Sequence, residues 1–393
     1  MMQSVGADPE VRAALERVRP HPDAEEALAR VSWSVLTEPG DGVAGALIAE
    51  SGAVSALESA LGGGTLAGSD VGGQALSEAR ARWAPRANAH RVVDAIRGAA
   101  DVGARLLLPG DALWPNSLDD LGVHAPTLLW VRGDPALLTG AIRVAIVGAR
   151  AASAYGEMLA GDFAGELAAG GAVVVSGGAY GIDGAAHRAA LGVGGNTVAF
   201  LAGGVDRAYP QGHQQLLRRI VETGAVVSEV PCGTAPTKWR FLSRNRLIAA
   251  LSDATVVVEA GWRSGSLNTA GHAAALGRPL GAVPGPVTSA SSAGCHRLLR
   301  EYDARCVTTT AEIRELWGEV VSGGSTATTS DPDRSRLLDA LSSRAPRPVL
   351  ELSRRSGLAP ERIGSLLGLL ELDGVVTRIE SGWQKRREGE RRG

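Results

Sequence analysis

Apolar positions recur at helical spacing over residues 10 to 61, broken once by the turn-forming run Glu38, Pro39, Gly40, Asp41 and Gly42. The stretch Gly62 to Gly73 then reads as a flexible loop. From Leu106 to Gly140 the pattern becomes irregular and proline-punctuated, with a short strand expected at Thr127 to Val131. Between Arg143 and Thr308 it changes again. Short Val/Ala/Ile runs (Val144 to Val147, Ala172 to Val175, Thr197 to Leu201, Ala225 to Val227, Thr255 to Val258, Leu280 to Val283) alternate with helical segments. Strands spaced in this way need crossover connections, so they predict an α/β fold with a Rossmann-like, doubly wound parallel sheet. Beyond a Ser/Gly/Thr-rich stretch, Arg334 to Leu341, Val349 to Ser356 and Pro360 to Asp373 read as three short helices, and Gly374 to Gln384 as a hairpin. That order predicts a winged helix. The expected organisation is a helical domain at 1–85, the extended Rossmann-like domain at 105–318, a linker at 319–332, the winged helix at 333–386 and a charged tail at 387–393.

Composition narrows the class. With 393 residues, a formal net charge of −2 and 45 % hydrophobic residues, the chain fits a multidomain globular protein and not a disordered or fibrous one. Its 52 glycines far exceed the average share of ~7 %, which favours tight turns and glycine loops. The 3 cysteines, Cys232, Cys295 and Cys306, form no CxxC pair, which argues against a disulfide framework and a thiolate zinc site. No apolar run approaches the ~20 residues of a membrane span, and the acidic start lacks a basic n-region, so a cytoplasmic protein is expected. Lys238 and Lys385 are the only lysines, so nearly all positive charge is guanidinium.

Four apolar strand runs feed glycine loops: Gly148 to Arg150, Ser176 to Asp183 (with Gly177 and Gly178), Ala202 to Asp206 (with Gly203), and Glu259 to Ser266 (with Ser264 and Gly265). In an open α/β sheet such turns gather at the carboxyl ends of the strands, where helix N-termini present free N–H groups to phosphate. One such loop alone is commonly just a tight connection, whereas four in register point to binding. GxxxxGK[ST] is absent and the first of these turns is not GxGxxG, which argues against the usual nucleotide cofactors, and no cofactor is expected. The remaining polyanion is nucleic acid. Its best support is the segment from Pro231 to Ser252, which carries Lys238, Arg240, Arg244 and Arg246 with no acid and interleaves Trp239 and Phe241. Guanidinium groups grip phosphate and aromatic faces stack on unpaired bases; core packing is the alternative for the two aromatics. Asp183 and His187, at i and i+4, resemble an acid/base pair, but a helix cap and a local hydrogen bond explain them more simply. Glu259 ends an apolar strand without a linked nucleophile, and HExxH and GxSxG are absent. A nucleotide-binding hydrolase acting on nucleoside monophosphates through Asp183 or Glu259 is the competing reading. A transcriptional regulator acting through the wing is a third, with only Arg362 as a base in its recognition-helix candidate.

Several runs together resemble the bacterial DNA-processing protein A (DprA/Smf) family: Val147 to Arg150 through Ser153, Tyr155 and Gly156; Ser176 to Leu191; Ala202 to Pro210; Ser228 to Pro231; Ser243 to Ile248; Ser264 to Ala270; and Ala282 to Gly285. The resemblance implies a helical N-terminal domain of the SAM or helix-hairpin-helix kind, a Rossmann-like core and a winged helix. It further implies a non-enzymatic mediator that binds single-stranded DNA during natural transformation, shields it and helps load the RecA recombinase. The DNA pocket implied by the family pattern uses Arg150, Lys238 and Phe241, with Arg244, Asn245 and Arg246 nearby. Ser176, Gly177, Gly178, Gly203, Ser264, Gly265, Ser266 and Thr269 complete the expected surface. A homodimer is implied through Pro286 to Val307, with Leu298, Leu299 and Cys306 as its contacts. Leu242, Asn268 and Ala149 depart from the family pattern without removing a charge.

Overall fold

The computed structural model describes residues 8–20, 23–62, 71–319 and 331–386. Most of the expected Gly62–Gly73 loop, nearly all of the expected 319–332 linker, and the 387–393 tail lie outside these residues. The chain forms two compact units, residues 1–321 and 322–393.

The first unit is built on a nine-stranded sheet in the order β1-β2-β6-β5-β4-β3-β7-β8-β9. The strands are β1 (Arg105–Leu107), β2 (Leu129–Gly133), β3 (Arg143–Val147), β4 (Val173–Ser176), β5 (Thr197–Phe200), β6 (Ala225–Ser228), β7 (Ala254–Val257), β8 (Leu280–Ala282) and β9 (Arg305–Cys306). From β6 to β9 all neighbours pair in parallel, as expected from the apolar runs. The expected doubly wound parallel sheet is present, and β1 and β2 extend it in antiparallel fashion, with Trp130 opposite Ser228 of β6. The chain winds outward from β3 to β6, then returns to place β7 on the other side of β3, which makes the carboxyl ends of β3 and β7 the switch point.

Alternation along each strand divides the core. Val144 and Ile146 of β3 pack with α7 (Ala154–Ala169) and α8 (Ile182–Gly192) on one face. Ala145 and Val147 face Leu247, Ile248 and Leu251 of α10 (Lys238–Leu251) and Ala270 of α11 (Ser266–Ala275) on the other. The helical region expected at 1–85 comprises α1 (Pro9–Val18), α2 (Ala24–Leu36), α3 (Gly42–Ser51), α4 (Ala53–Gly62) and α5 (Gly73–Trp83), and continues into α6 (Ala89–Asp101). Helices α2 to α5 close a small core around Trp33, Leu47, Leu57 and Trp83. Helices α1, α2 and α6 instead share a core with Leu106, Trp130, Val226 and α9 (Gln214–Thr223), so the helical region is continuous with the sheet.

The second unit holds α14 (Pro332–Ala340), α15 (Val349–Ser356), α16 (Pro360–Leu372) and the hairpin β10 (Val376–Ile379) and β11 (Gly382–Lys385), after α12 (Ala293–Glu301) and α13 (Thr310–Glu315) close the first. Gly357, in the left-handed region at φ 72°, ends α15 and turns the chain into α16. Leu337, Leu352, Ile363, Leu367 and Val376 form its core. Arg362 donates to Asp331 and Asp333 at 2.6 and 3.1 Å, so the one base expected to read DNA from α16 is engaged within the unit.

Candidate nucleic-acid interface

The switch point opens into a cavity of about 880 Å3, walled by the loop after β3 (Gly148 to Ala151), the loop after β7 (Gly261 to Thr269) and the start of α10. Steric crowding fixes the first loop. Gly148 lies against Ile182 and the Glu259 carbonyl, and a Cβ at Gly181, whose φ is +71°, would sit 2.3 Å from the Ala149 carbonyl oxygen. The Ala149 N–H donates to Glu259 O at 2.7 Å, tying the two loops together.

Thr237 caps α10 by accepting from the Arg240 N–H at 3.3 Å. The cap places Lys238 in the first turn, exposed at the cavity rim, and Phe241 one turn on and half-buried, with Arg244 and Asn245 behind them. The Arg150 guanidinium stacks over the Phe241 ring at 4.5 Å from its centroid, that of Arg244 lies at 5.9 Å, and the Tyr209 ring packs at 5.5 Å. Trp239, on the next face of the helix, is 65 % exposed, so core packing does not explain it. Among the described residues no acid pairs with Arg150, Lys238 or Arg263, all of which line the cavity, while Asp183 is the one carboxylate that does.

Burial pulls the Arg244 guanidinium down to about 10, against the opposing pull of Asp183, so it remains a cation at neutral pH. It donates to Phe200 O at 2.9 Å and passes beside Gly177, where a Cβ would lie 1.8 Å from its Nη1. Gly177 is glycine to make room for that arginine. Burial pushes the Asp183 carboxyl up while Arg244 and the N–H groups of Gly177 and Ala179, donating at 3.1 and 3.3 Å, pull it down. His187 is buried, and burial lowers it to about 3; its Nδ1 lies 2.7 Å from Thr197 Oγ1, whose hydroxyl donates to Val174 O. Glu259 accepts from the Ser153 N–H and hydroxyl, both at 2.8 Å, at the N-cap of α7. Both carboxylates named in the hydrolase reading therefore anchor loops.

Of the expected surface, Arg150, Lys238, Phe241, Arg244, Asn245, Ser264, Gly265, Ser266 and Thr269 line one cavity. Asn245 Nδ2 donates to Gly265 O and Asn268 Oδ1 at 3.2 and 3.3 Å, and the Ser264 and Ser266 hydroxyls lie 2.7 Å apart. The others stand elsewhere. Arg246 is buried in a two-point ion pair with Glu229, 2.6 Å on both arms, and donates to His124 O, so it belongs to the core and not to the cavity. Ser176 is buried with its hydroxyl on Ile146 O, Gly178 O lies 3.0 Å from the His213 Nδ1, and Gly203 lies against Thr234 and Pro236; these three and Gly177 do not line the cavity, although Gly177 packs against Arg244 and Gly203 against Pro236, which do. Leu298 is 0 % exposed in the core, so it is no surface contact; Leu299 is half-buried and Cys306 exposed on the edge strand β9. Tyr209, from the Ala202–Pro210 run, and Arg263, from the Glu259–Ser266 loop, also line the cavity, beyond the residues expected there. Among the described residues no group of three His, Cys, Asp or Glu could hold a metal, and no helix is long and apolar enough to cross a membrane.

Residues 105–318 match the family model described as DNA recombination-mediator protein A. The chain belongs to that family. Residues 324–382 match the DprA winged helix domain. A putative DNA processing protein DprA of Mycobacterium tuberculosis is 43 % identical over 336 residues, covering 81 % of this chain and 86 % of that one. DNA processing protein DprA of Streptococcus pneumoniae is 40 % identical over 207 residues, 52 % of this chain and 71 % of that one. The crystal structure of the Streptococcus pneumoniae protein aligns at TM-score 0.57 with 29 % identity, covering 72 % of this chain and 94 % of that one. Membership gives the chain a role in DNA processing and recombination.

Proposed function

We propose that the protein is a non-enzymatic mediator that holds single-stranded DNA in the Phe241 cavity, protects it and helps load a RecA recombinase in natural transformation or homologous recombination. The observation that carries this reading is the aromatic ring set among cations: Phe241 beneath Arg150, with Lys238 and Arg263 at the rim and without an acid partner among the described residues. A phosphodiester strand meets the cations, and an unpaired base takes the place of the guanidinium on the ring, which a duplex cannot offer. Asp183 and Glu259, each committed to backbone N–H groups, support a binding role without hydrolysis. A homodimer, with Leu299 and the β9 edge at Cys306 as candidate contacts, would raise the effective concentration of a second cavity along one strand. The cytoplasm, where incoming strands meet the recombinase, is the compartment this role requires. The test is a salt-titrated binding assay on single- and double-stranded DNA of equal length. Preference for the single strand at every salt concentration is expected, and equal affinity for both would overturn the reading.

A further inference from the structure

A second cavity, of about 230 Å3, lies beside the first. Arg207 and Ala208 line it, while Tyr209, the next residue, lines the Phe241 cavity, so a single stretch of backbone separates the two. Its floor is apolar, formed by Leu201, Val205 and Leu217. Its rim carries three guanidinium groups, those of Arg132 on β2, Arg207 and Arg218 on α9.

These cations are not balanced. The one carboxylate lining the cavity is Asp206, which already accepts from the Gly233 N–H at 3.0 and 3.1 Å and meets Arg207 Nε at only 3.7 Å. Arg218 is exposed, with no acid partner among the described residues. Arg132 donates Nη1 to Val205 O at 3.2 Å, yet its buried Nε has no partner among the described residues. Guanidinium groups converging on an apolar floor with one occupied carboxylate call for an anion that carries apolar surface with it.

We infer that this arginine-rimmed cavity is a second phosphodiester-binding site, through which a strand held at Phe241 continues past Tyr209. The inference rests on the single-strand reading of the Phe241 cavity. Two features favour a nucleic-acid strand over an acidic protein segment. Tyr209 packs on Phe241 and is itself half-exposed, giving a stacking surface at the junction. Two residues of chain reach at most about 7 Å, so the backbone of Arg207 lies that close to the backbone of Tyr209 and the two cavities adjoin.

The test is a length series of oligo-dT, titrated with salt, on the wild-type chain and on Arg207→Ala/Arg218→Ala. Both side chains are exposed, so the double variant should fold; Arg219→Ala, exposed on the same helix but outside the cavity, is the control. The double variant should match wild type on the shortest oligonucleotides that bind. On longer ones it should lose affinity, with the salt slope lowered by roughly 1.4 for two phosphate contacts. Arg219→Ala should behave as wild type throughout. If the double variant matches wild type at every length while Arg150→Ala binds weakly, the second site is wrong and the first stands. Equal losses at all lengths would fold these arginines into the first site and also overturn the inference. Unchanged DNA binding with loss of poly-glutamate binding would assign the surface to an acidic protein instead. Failure of the wild type to bind any oligonucleotide would sink the reading beneath it.

Discussion

The Arg150 guanidinium, in the loop that leaves β3, lies 4.5 Å from the centroid of the Phe241 ring on α10, and this contact joins two elements far apart in the chain. A cation over a ring at an exposed site gains about 0.5–1 kcal/mol. That is less than the ~1–3 kcal/mol of a stacked base, so a base can displace it, and the freed guanidinium, still within the cavity, can turn to a phosphate.

Phe241→Ala should therefore cost about 1–3 kcal/mol of single-strand binding with little change in salt slope. The half-buried ring is not among the fully buried core side chains, so urea denaturation should move little. Unfolding of the variant, instead of weaker binding, would return Phe241 to the core.

Arg150→Ala and Lys238→Ala should each weaken binding similarly for all sequences and lower the salt slope by roughly 0.7, the single-strand value per neutralised phosphate. Lys238→Arg keeps the charge but changes hydration and geometry, and a measurable loss is expected. Full affinity with an unchanged slope in both alanine variants would remove these cations from the site.

Arg246→Ala behaves differently. It leaves the Glu229 carboxylate buried without its partner, which costs about 3–5 kcal/mol of stability. Denaturant midpoints should fall well below wild type, while the salt slope of whatever remains folded stays the same. A lowered slope at normal stability would put Arg246 on the DNA.

Because Thr197 spends its hydroxyl proton on Val174 O, it accepts from His187 Nδ1–H, and Nε2 is left buried without a partner among the described residues. With a folded-state value of about 3, below the ordinary 6.5, the unfolded chain takes up this proton first as pH falls. Stability from this group is then complete above about pH 6.5 and declines towards about pH 3, by up to about 1.4 kcal/mol per pH unit. His187→Asn, which keeps a donor near Thr197 but cannot ionise there, should start from a lower melting temperature and show a shallower acid slope across that window. The same slope in both proteins would assign the acid loss to other groups.

Nucleoside mono- and triphosphates should give no turnover, and Asp183→Asn should shift thermal stability while leaving single-strand affinity close to wild type. Turnover that disappears in Asp183→Asn would favour the hydrolase instead.

The strands from β3 to β8, and their parallel pairing, were legible because buried parallel strands must be continuously apolar and their crossovers need helices; their order in the sheet was not. Edge strands lack that signal, so neither the three-residue β1 nor the two-residue β9 is marked in the sequence pattern. The cavity loops were legible from their glycines, since close approach at Gly148 and a positive φ at Gly181 leave little choice of residue.

Arg244 and Arg246 show where sequence stops. Both sit in one basic run on one helix, two residues apart and about 200° around its axis. The sequence determined that a cationic, aromatic helix start follows a glycine-loop sheet. Only the packed structure decided which guanidinium meets the cavity and which meets Glu229, and that Leu298 faces the core while Trp239 faces solvent. A helix fixes the angles between its own side chains from sequence alone, but its rotation and its partners are set by the surfaces it buries, which come from distant parts of the chain.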